Sequence, residues 1–331
     1  MPRASWPTGV PSGTYGPRVQ ATVALYTGAY RLSKRTTQQR MDDGCGVPVS
    51  VGTLSQLEQA TTAAVAAPVE EARTAVHVQQ VAHRDATRWR QGRKRAWLGV
   101  AVTSVVTVCV VRWSRGAEVA RELLGEACSG ILVPDRYRAY KWYPVRWRQV
   151  CWAHLGRDCE ALRGRGGRSK ALGNALLAQA HQLLRWWHRV RDGTLQRSSL
   201  RSAMTPLRRE VEQLLAAGSR CGVPKTAGTC QDIVKRREAL WTFVHVEGVE
   251  PTKHTAERAI RPGVLWRTGS FGTQSAEGSR CVESMLTVVA TLQQQQRHVL
   301  ESLTAAWEAA LRGEAAPSLL PESTQKSHAA A

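Results

Sequence analysis

The sequence lacks the features of a membrane protein and of a disulfide-stabilised secreted scaffold. The longest apolar run, Leu98 to Val111, covers 14 residues and includes two threonines and a serine, which is too short for a transmembrane helix. The amino terminus has no apolar segment of the kind that signal peptides carry. None of the eight cysteines forms a CxxC pair with another. We therefore expect a reducing, cytoplasmic compartment with buried thiols.

Acidic residues are also scarce: 26 Asp and Glu stand against 46 Lys and Arg, which gives a net charge of +20. The arginines are spread through patterned segments, so their excess indicates a polyanionic partner, most simply nucleic acid. Phenylalanine is almost absent, with 2 residues against 12 tryptophans. Tryptophans in so basic a chain have two interpretations, packing in the core or stacking on a nucleic-acid base.

Composition divides the chain into four parts. Residues 1–18 are rich in proline and glycine and predict a linker, and such a start suggests a chain that begins inside a longer protein. Residues 19–75 have a helical pattern. Residues 76–310 alternate strand and helix signals and predict an α/β domain, with a helical insertion at about 160–246. Residues 312–331 are rich in Ala, Ser, Pro and Glu and predict a disordered tail.

The helical part predicts a helix-turn-helix-like arrangement. Ser33 can cap one helix, glycines 44 and 46 end it, and Ser50 can cap the next helix, Val51 to about Ala60. A capped helix after a glycine-containing break is typical of this motif. The second helix offers Thr, Ser and Gln to base edges or phosphates but no Arg or Lys. Packing is therefore an equally good interpretation of that helix.

The α/β part predicts a mixed sheet like that of ribonuclease H, flanked by helices. Val-rich and Thr-rich runs predict the strands, and an amphipathic segment at 116–127 predicts a crossover helix. The predicted strands, in chain order, are Val76–Asp85, Arg95–Val102, Val105–Val111, Ile131–Val133 and Arg148–His154. Three meandering strands, a crossover helix and a fourth strand make the first strand central, with the fourth beside it.

This topology gives two aspartates a shared environment. Asp85 and Asp135 each follow a predicted strand, and on adjacent strands they would face one another. An isolated aspartate after a strand is more simply a turn residue. Two aspartates together with a glutamate from a later helix, however, can hold two Mg²⁺ ions, because Mg²⁺ takes hard oxygen ligands and keeps sites for water and phosphate. Arg136, Arg138 and Lys141, close behind Asp135, suit a site that must meet phosphate.

Five ordered motifs, which together run through most of the chain, carry a resemblance to a known family. They are Asp85-Ala86-Thr87-Arg88-Trp89-Arg90-Gln91-Gly92, residues 130–140, Cys151-Trp152-Ala153-His154-Leu155-Gly156-Arg157-Asp158, Ala256-Glu257-Arg258-Ala259-Ile260-Arg261-Pro262, and Trp266-Arg267-Thr268-Gly269-Ser270-Phe271-Gly272-Thr273. In these motifs the chain resembles the DDE transposases of insertion-sequence family 66, bacterial enzymes that cut and join DNA.

The resemblance implies a ribonuclease-H-like core in which Asp85, Asp135 and Glu257 hold two Mg²⁺ ions, with Mn²⁺ as an alternative. Cys151 and His154 match the family's C-x-x-H element and are expected to be accessory residues. The reaction implied is hydrolytic nicking at the element ends followed by strand transfer. Implied partners are the DNA of the element ends and of the target, further copies of the chain when bound to DNA, and accessory transposition proteins. The expected location is the cytoplasm, at the nucleoid.

Five cations are expected to contact DNA. Arg258 and Arg261 lie three residues apart on one helical face beside Glu257, where they could clamp phosphates or form a solvated surface. The others are Lys141, Arg157 and Arg267.

The chain departs from the family pattern at two places. Ala86 and Arg88 flank Thr87 where Glu-Thr-Gly is usual after the first aspartate, and 253–255 is Lys-His-Thr where two asparagines are usual. These departures keep two alternatives open. One is an inactive DNA-binding remnant, and the other is a ribonuclease-H-like nuclease acting on RNA–DNA hybrids. A third, minor possibility is zinc held by Cys151, His154, Cys221 and Cys230.

Overall fold

The computed structural model describes residues 15–126 and 128–321. Residues 1–14 of the predicted linker (1–18), the end of the predicted crossover helix at Ala127 and residues 322–331 of the predicted tail (312–331) lie outside the described residues. No helix in the described ranges is both long and apolar enough to cross a membrane.

The described residues form thirteen α-helices and four strands. The helices are α1 (Pro17–Ala24), α2 (Lys34–Cys45), α3 (Val51–Ala64), α4 (Ala66–His77), α5 (Ala117–Leu124), α6 (Trp152–Arg163), α7 (Gly167–Arg191), α8 (Arg197–Gly218), α9 (Pro224–Val234), α10 (Thr242–His245), α11 (His254–Ser270), α12 (Ala276–Gln294) and α13 (Val299–Arg312). The strands are β1 (Val81–Gln91), β2 (Lys94–Val102), β3 (Thr107–Arg112) and β4 (Ile131–Val133).

The strands form one mixed sheet in the order β3-β2-β1-β4. The meander β2–β3 is antiparallel, and β4 pairs with β1 in parallel through Val81↔Ile131, Ala82↔Leu132 and His83↔Val133. The expectation that the first strand is central and the fourth lies beside it is therefore confirmed.

Two details of the sheet differ from the prediction. The fifth strand at 148–154 is absent: Arg148 makes a single bridge to Leu132, and α6 begins at Trp152. Because β4 has three residues and is followed by Pro134, it offers too little edge for a longer ladder. The first strand begins at Val81 because α4 continues through His77, and it runs on to Gln91, so Asp85 lies inside the strand and not at its predicted end. A β-branched residue such as Val76 can end an alanine-rich helix as readily as it can begin a strand.

The chain divides into two compact units, and β1 contributes to both. Of the described residues, the first unit contains 15–79, 85–126, 128 and 256–321. Its core combines β2 and β3 with α4, α11, α12 and α13. Leu319 and Leu320, in the predicted tail, are buried in this core at 4% and 2% exposure, because Gln295 and Arg297 donate hydrogen bonds to the backbone of residues 318 and 319.

The second unit contains residues 80–84 and 129–255. It corresponds to β4 and the predicted helical insertion, and α6 to α10 pack with Ile131 and Val133 of β4 in a single apolar cluster. Within that cluster Trp152 and Trp241 lie with ring centroids 5.2 Å apart. Core packing is thus the role of these two tryptophans.

At the amino-terminal end of the described residues, the helix-break-helix pattern is confirmed. Ser33 and Ser50 accept hydrogen bonds from the amides of Thr36 and Thr53, at 3.1 and 3.0 Å, and so cap α2 and α3. Gly46 ends α2 in the left-handed conformation that favours glycine. The described chain enters a helix at Pro17, two residues earlier than predicted, because proline suits the first turn of a helix.

Candidate active site

Asp135 lies in a turn that the second unit holds firmly. Its Oδ1 accepts a hydrogen bond from the amide of Tyr137 at 2.9 Å, which is a common way for aspartate to stabilise a turn. The preceding Pro134 is buried and Asp135 is half-buried. Its carboxylate therefore stands at the end of a buried strand with a defined orientation.

Arg136, next to Asp135, anchors the turn to two helices. Its guanidinium pairs with Asp158 on α6 and, at 3.3 Å, with Asp232 on α9. Burial raises the pKa of Asp158 even though Arg136 opposes the shift. Burial also acts to raise the pKa of Asp232, but the hydrogen bond from Arg236 and the nearby positive charges outweigh it, so that pKa is lowered. The sequence suggested that Arg136 meets phosphate, whereas the structure uses it to hold the Asp135 turn.

Cys151 and His154 form a pair at the amino-terminal end of α6. The Nδ1 of His154 lies 3.2 Å from the Sγ of Cys151, and the amide of Lys253 donates to the same sulfur at 3.4 Å. Cys151 has 0% exposure and His154 is half-buried. The pair therefore fixes residues 251–253, the approach to α11, against the start of α6.

The cysteines considered for zinc do not assemble. Cys230 is buried, and a Cβ on Gly218 would lie 2.5 Å from its sulfur, so helices α8 and α9 pack closely at this point. Burial raises the pKa of Cys230 to about 11 and that of Cys159 to about 12, which keeps both thiols protonated. In the two described stretches of the chain, no group of three or more His, Cys, Asp or Glu side chains is placed to hold a metal ion.

Asp85 and Glu257 belong to the first unit. Asp85 is a half-buried residue of β1, and its Oδ1 accepts from the amide of Ala86 at 2.8 Å. Because side chains alternate along a strand, Asp85, Thr87 and Trp89 share one face of β1. Arg267 of α11 donates to the hydroxyl of Thr87 at 3.0 Å. The face of β1 that carries Asp85 is thus the face that α11 covers.

The direction of α11 is set by its contacts with β1. Arg267, in the last turn, contacts Thr87, and Thr273, just beyond the helix, pairs with Gln91. Helix α11 and strand β1 therefore run in the same direction. The first turn of α11, which carries Glu257, lies toward the Asp85 end of the strand.

The residues expected to contact DNA divide into two groups. Lys141, Arg157, Arg258 and Arg261 are exposed. Arg267 is half-buried, and its guanidinium also donates to the backbone carbonyl of Arg88. Arg267 therefore has a structural role, that of fixing α11 to β1, and its contact with DNA stays a prediction.

The two departures from the family pattern have different environments. Lys253 is buried at 3% exposure, and His254, the first residue of α11, is exposed. A buried ammonium requires compensating partners, and Lys253 does not lack interactions. Ala86 and Thr87 are half-buried and Arg88 is exposed. Thr87, which lies between the two substituted positions and matches the family pattern, is the residue that Arg267 binds.

In helix α3, the candidate DNA-reading helix, two polar side chains bind another residue of the protein. Ser55 accepts from the Nζ of Lys34 at 2.7 Å, and Glu58 pairs with the same ammonium at 3.0 Å. Gln56 and Gln59 remain exposed. These two glutamines are the side chains through which α3 could reach a groove.

Sequence reasoning missed two features of the sites. One is the Arg136–Asp158–Asp232 cluster, which depends on helices that are far apart in sequence and gave no local signal. The other is Phe271, an apolar side chain that is 75% exposed. Its signals in the sequence were its place in the motif at 266–273 and the Gly-containing and Ser-containing loop around it.

Comparison with known proteins gives two matches. The family model described as "Transposase IS66 family" matches residues 12–281, most of the chain. The chain is also 30% identical over 198 residues to an uncharacterised protein, y4qI, of Sinorhizobium fredii. That alignment covers 54% of this chain and 35% of the relative, so the chain spans about a third of the length of the curated relative it matches.

Proposed function

The chain belongs to the Transposase IS66 family, and from this we propose that it is a DDE-type DNA transposase with a ribonuclease-H-like catalytic core. The reaction is phosphoryl transfer: nicking at the ends of the element and then joining of the freed strand to target DNA. A net charge of +20 suits a protein that handles two DNA segments. Proposed partners are DNA, further copies of the chain on that DNA, and accessory transposition proteins at the nucleoid.

The parallel register of β1 and β4 is the single observation that best supports the catalytic assignment. His83 is paired with Val133, and Asp85 and Asp135 each follow two residues later. Continuing that register by two residues would align the two aspartates. The order β3-β2-β1-β4 is also the one that a ribonuclease-H-like sheet requires, and in it Asp85 lies within β1 while Asp135 follows β4.

Glu257 is proposed as the third acid. It lies in the first turn of α11, which is directed toward the Asp85 end of β1. Three carboxylates provide the hard oxygen ligands that Mg²⁺ prefers. When bound, Mg²⁺ neutralises phosphate charge and activates the attacking oxygen. No ready three-acid cluster exists among residues 15–126 and 128–321, so the support for the metal site is the register, the helix direction and the donor chemistry.

Several residues outside the three acids are proposed to position the DNA and the acids. Arg136, through Asp158 and Asp232, orients the Asp135 turn. Cys151 and His154 hold the segment that leads into α11. The exposed cations Lys141, Arg157, Arg258 and Arg261 bind phosphates in this proposal, since phosphoryl transfer depends mainly on positioning and neutralisation of charge.

A second candidate function is an inactive, DNA-binding remnant. The buried Lys253 favours it, because a cation stands where the family usually has asparagine. Such a protein would keep its affinity for DNA and lose cleavage.

The test is Mg²⁺-dependent nicking of duplex DNA that carries the ends of the encoding element, measured for the wild type and for Asp135→Asn. The amide keeps the shape of the side chain but loses a charged metal ligand. We expect the variant to lose activity at least about a hundredfold, or ~3 kcal/mol of transition-state stabilisation. Asp192→Asn is the matched control, because Asp192 is an exposed acid beyond α7.

Three outcomes separate the candidates. Loss in Asp135→Asn alone supports the transposase. Equal activity in the wild type and Asp135→Asn contradicts the assignment of this residue. DNA binding without nicking by the wild type identifies the remnant. A parallel assay on an RNA–DNA hybrid distinguishes a ribonuclease-like activity.

A further inference from the structure

The turn between β1 and β2 carries an exposed group of cations, which we call the basic hairpin. Its members are Arg88, Arg90, Arg93, Lys94 and Arg95, and all five are exposed. None of them forms an ion pair with any residue of 15–126 or 128–321. A two-stranded ribbon of this kind has the width that fits the major groove of DNA. Five cations without counter-ions on such a ribbon are suited to contact the phosphates of the DNA backbone.

The loop after α11 is fastened to this hairpin. The amide of Thr273 donates to the carbonyl of Arg90 at 2.9 Å, and the amide of Gly92 donates to the carbonyl of Thr273 at 2.7 Å. The indole of Trp89 donates to the Thr273 hydroxyl at 3.2 Å. A Cβ on Gly272 would lie 2.2 Å from the carbonyl oxygen of Arg90, so only glycine permits this approach. The loop is therefore fixed to the turn of the hairpin.

Phe271 stands in that fixed loop with its ring in solvent. It is 75% exposed, and its backbone has a φ of 59°, a conformation that a bulky residue seldom adopts. The other phenylalanine of the chain, Phe243, has 0% exposure. The exposed ring does not pack in the core. The hydrogen bonds that fix its loop to the hairpin keep the ring beside the basic hairpin. An aromatic face held next to unpaired cations is the combination that binds unstacked bases.

We propose that the basic hairpin binds the DNA backbone and that Phe271 stacks on a base displaced from the duplex. This inference rests on the proposed function and adds to it a binding surface outside the three acids. The cations hold the duplex, and the ring supplies an apolar surface for one base. A transposase that opens DNA at a cleavage point would gain from such a contact, because an unstacked base costs free energy until it finds a new stacking partner.

The probe is a duplex that contains 2-aminopurine opposite an abasic site, with the fully paired duplex as reference. Phe271→Ala should weaken binding to the abasic-site duplex by about 5-fold to 150-fold, and binding to the paired duplex by less than about twofold. The quenching of 2-aminopurine that the wild type causes should be lost in Phe271→Ala and kept in Phe271→Tyr. Because the ring is exposed, neither change should affect folding, which circular dichroism checks.

The hairpin is tested by the salt dependence of binding. The triple change Arg93→Gln, Lys94→Gln and Arg95→Gln should lower the slope of log affinity against log salt by about 0.9 for each phosphate that the variant no longer neutralises. The matched control is Arg209→Gln, Arg220→Gln and Lys225→Gln, which removes the same charges from exposed positions on and near α8 and α9. The control should leave the quenching unchanged and lower the slope less than the hairpin variant does.

Failure of this inference can be distinguished from failure of the proposed function. If the wild type binds DNA with a steep salt dependence but Phe271→Ala and the hairpin variant behave as the wild type and the control do, the inference is overturned and the transposase proposal stands. A Phe271→Ala variant that weakens both duplexes equally overturns base stacking. If the wild type binds neither duplex, both proposals fall.

Discussion

The two edges of the sheet are covered in different ways. At the β3 edge, side chains of helix α12 take the place of a neighbouring strand. Glu283, Thr287 and Thr291 accept hydrogen bonds from the amides of Val111, Cys109 and Thr107, at 2.7, 3.0 and 3.1 Å. At the β4 edge, the hydrogen bond is formed by backbone groups: the amide of residue 149 donates to the carbonyl of Leu132 at 2.9 Å.

The match at the β3 edge is geometric. The three acceptors on α12 are four residues apart, a spacing of about 6 Å along a helix. The three amides on β3 are two residues apart, a spacing of about 6.7 Å along a strand. A helix can therefore satisfy an edge strand if its side chains have the right length and polarity. A sheet edge can thus be protected either by side chains, which many substitutions remove, or by backbone groups, which every substitution except proline keeps.

Of the three side chains that protect the β3 edge, Glu283 binds the most groups. It is buried at 5% exposure, and its carboxylate binds the guanidinium groups of Arg73 and Arg112, each at 2.8 Å, as well as the Val111 amide. Replacing it with leucine leaves the Val111 amide without its acceptor and removes the buried carboxylate that Arg73 and Arg112 share, so each arginine keeps only a more exposed partner, Glu70 or Glu122. We expect Glu283→Leu to lower the free energy of unfolding by about 3–5 kcal/mol, as measured by urea denaturation.

The control for this prediction is Glu277→Leu, at an exposed glutamate on the first turn of the same helix. It should cost much less than Glu283→Leu does, because an exposed ion pair contributes little to stability. A similar loss in both variants would mean that helix propensity, and not the β3 edge, governs the effect.

Thr287 should show a smaller effect of the same kind. It has 0% exposure, and its hydroxyl accepts from the Cys109 amide. Valine has almost the same shape but no acceptor, so Thr287→Val leaves one buried amide unsatisfied. We expect a loss of about 1–3 kcal/mol in the same urea experiment. Thr268→Val, at an exposed site on α11, is the matched change, and equal losses at the two sites would contradict the edge role.

The elements with local signals could be predicted from the sequence. Ser33, Ser50 and Gly46 mark the limits of α2 and α3, and the three residues of β4 are those of the predicted fourth strand. The order of the four strands also followed, since short connections leave few arrangements. The position of Asp135 at the end of β4 was predictable for the same reason.

What could not be predicted depends on contacts between distant segments. Helix α12 was predicted from its apolar face, and nothing in that pattern singles out Glu283. The run at 148–154 has strand-like composition, yet its length of pairing depends on how short β4 is. Arg136 has the same appearance in sequence as an arginine that meets phosphate. Its carboxylate partners lie on α6 and α9, which only the fold brings together.

The β4 edge, which backbone groups protect, should tolerate the loss of a buried side chain better than the β3 edge, which side chains of α12 protect. Arg148 bridges to Leu132 through its backbone, and its side chain is buried at 8% exposure with an Nε that has no hydrogen-bond partner among the described residues. Burial and the nearby Arg236 lower the pKa of this guanidinium, so its charge is disfavoured where it lies. Arg148→Met removes that buried charge and keeps the bridge. We expect the free energy of unfolding to stay within about 1 kcal/mol of the wild type or to rise, with Arg146→Met as the exposed neighbour for comparison. A loss as large as that of Thr287→Val would show that the Arg148 side chain supports this edge, and the distinction between the two edges would fail.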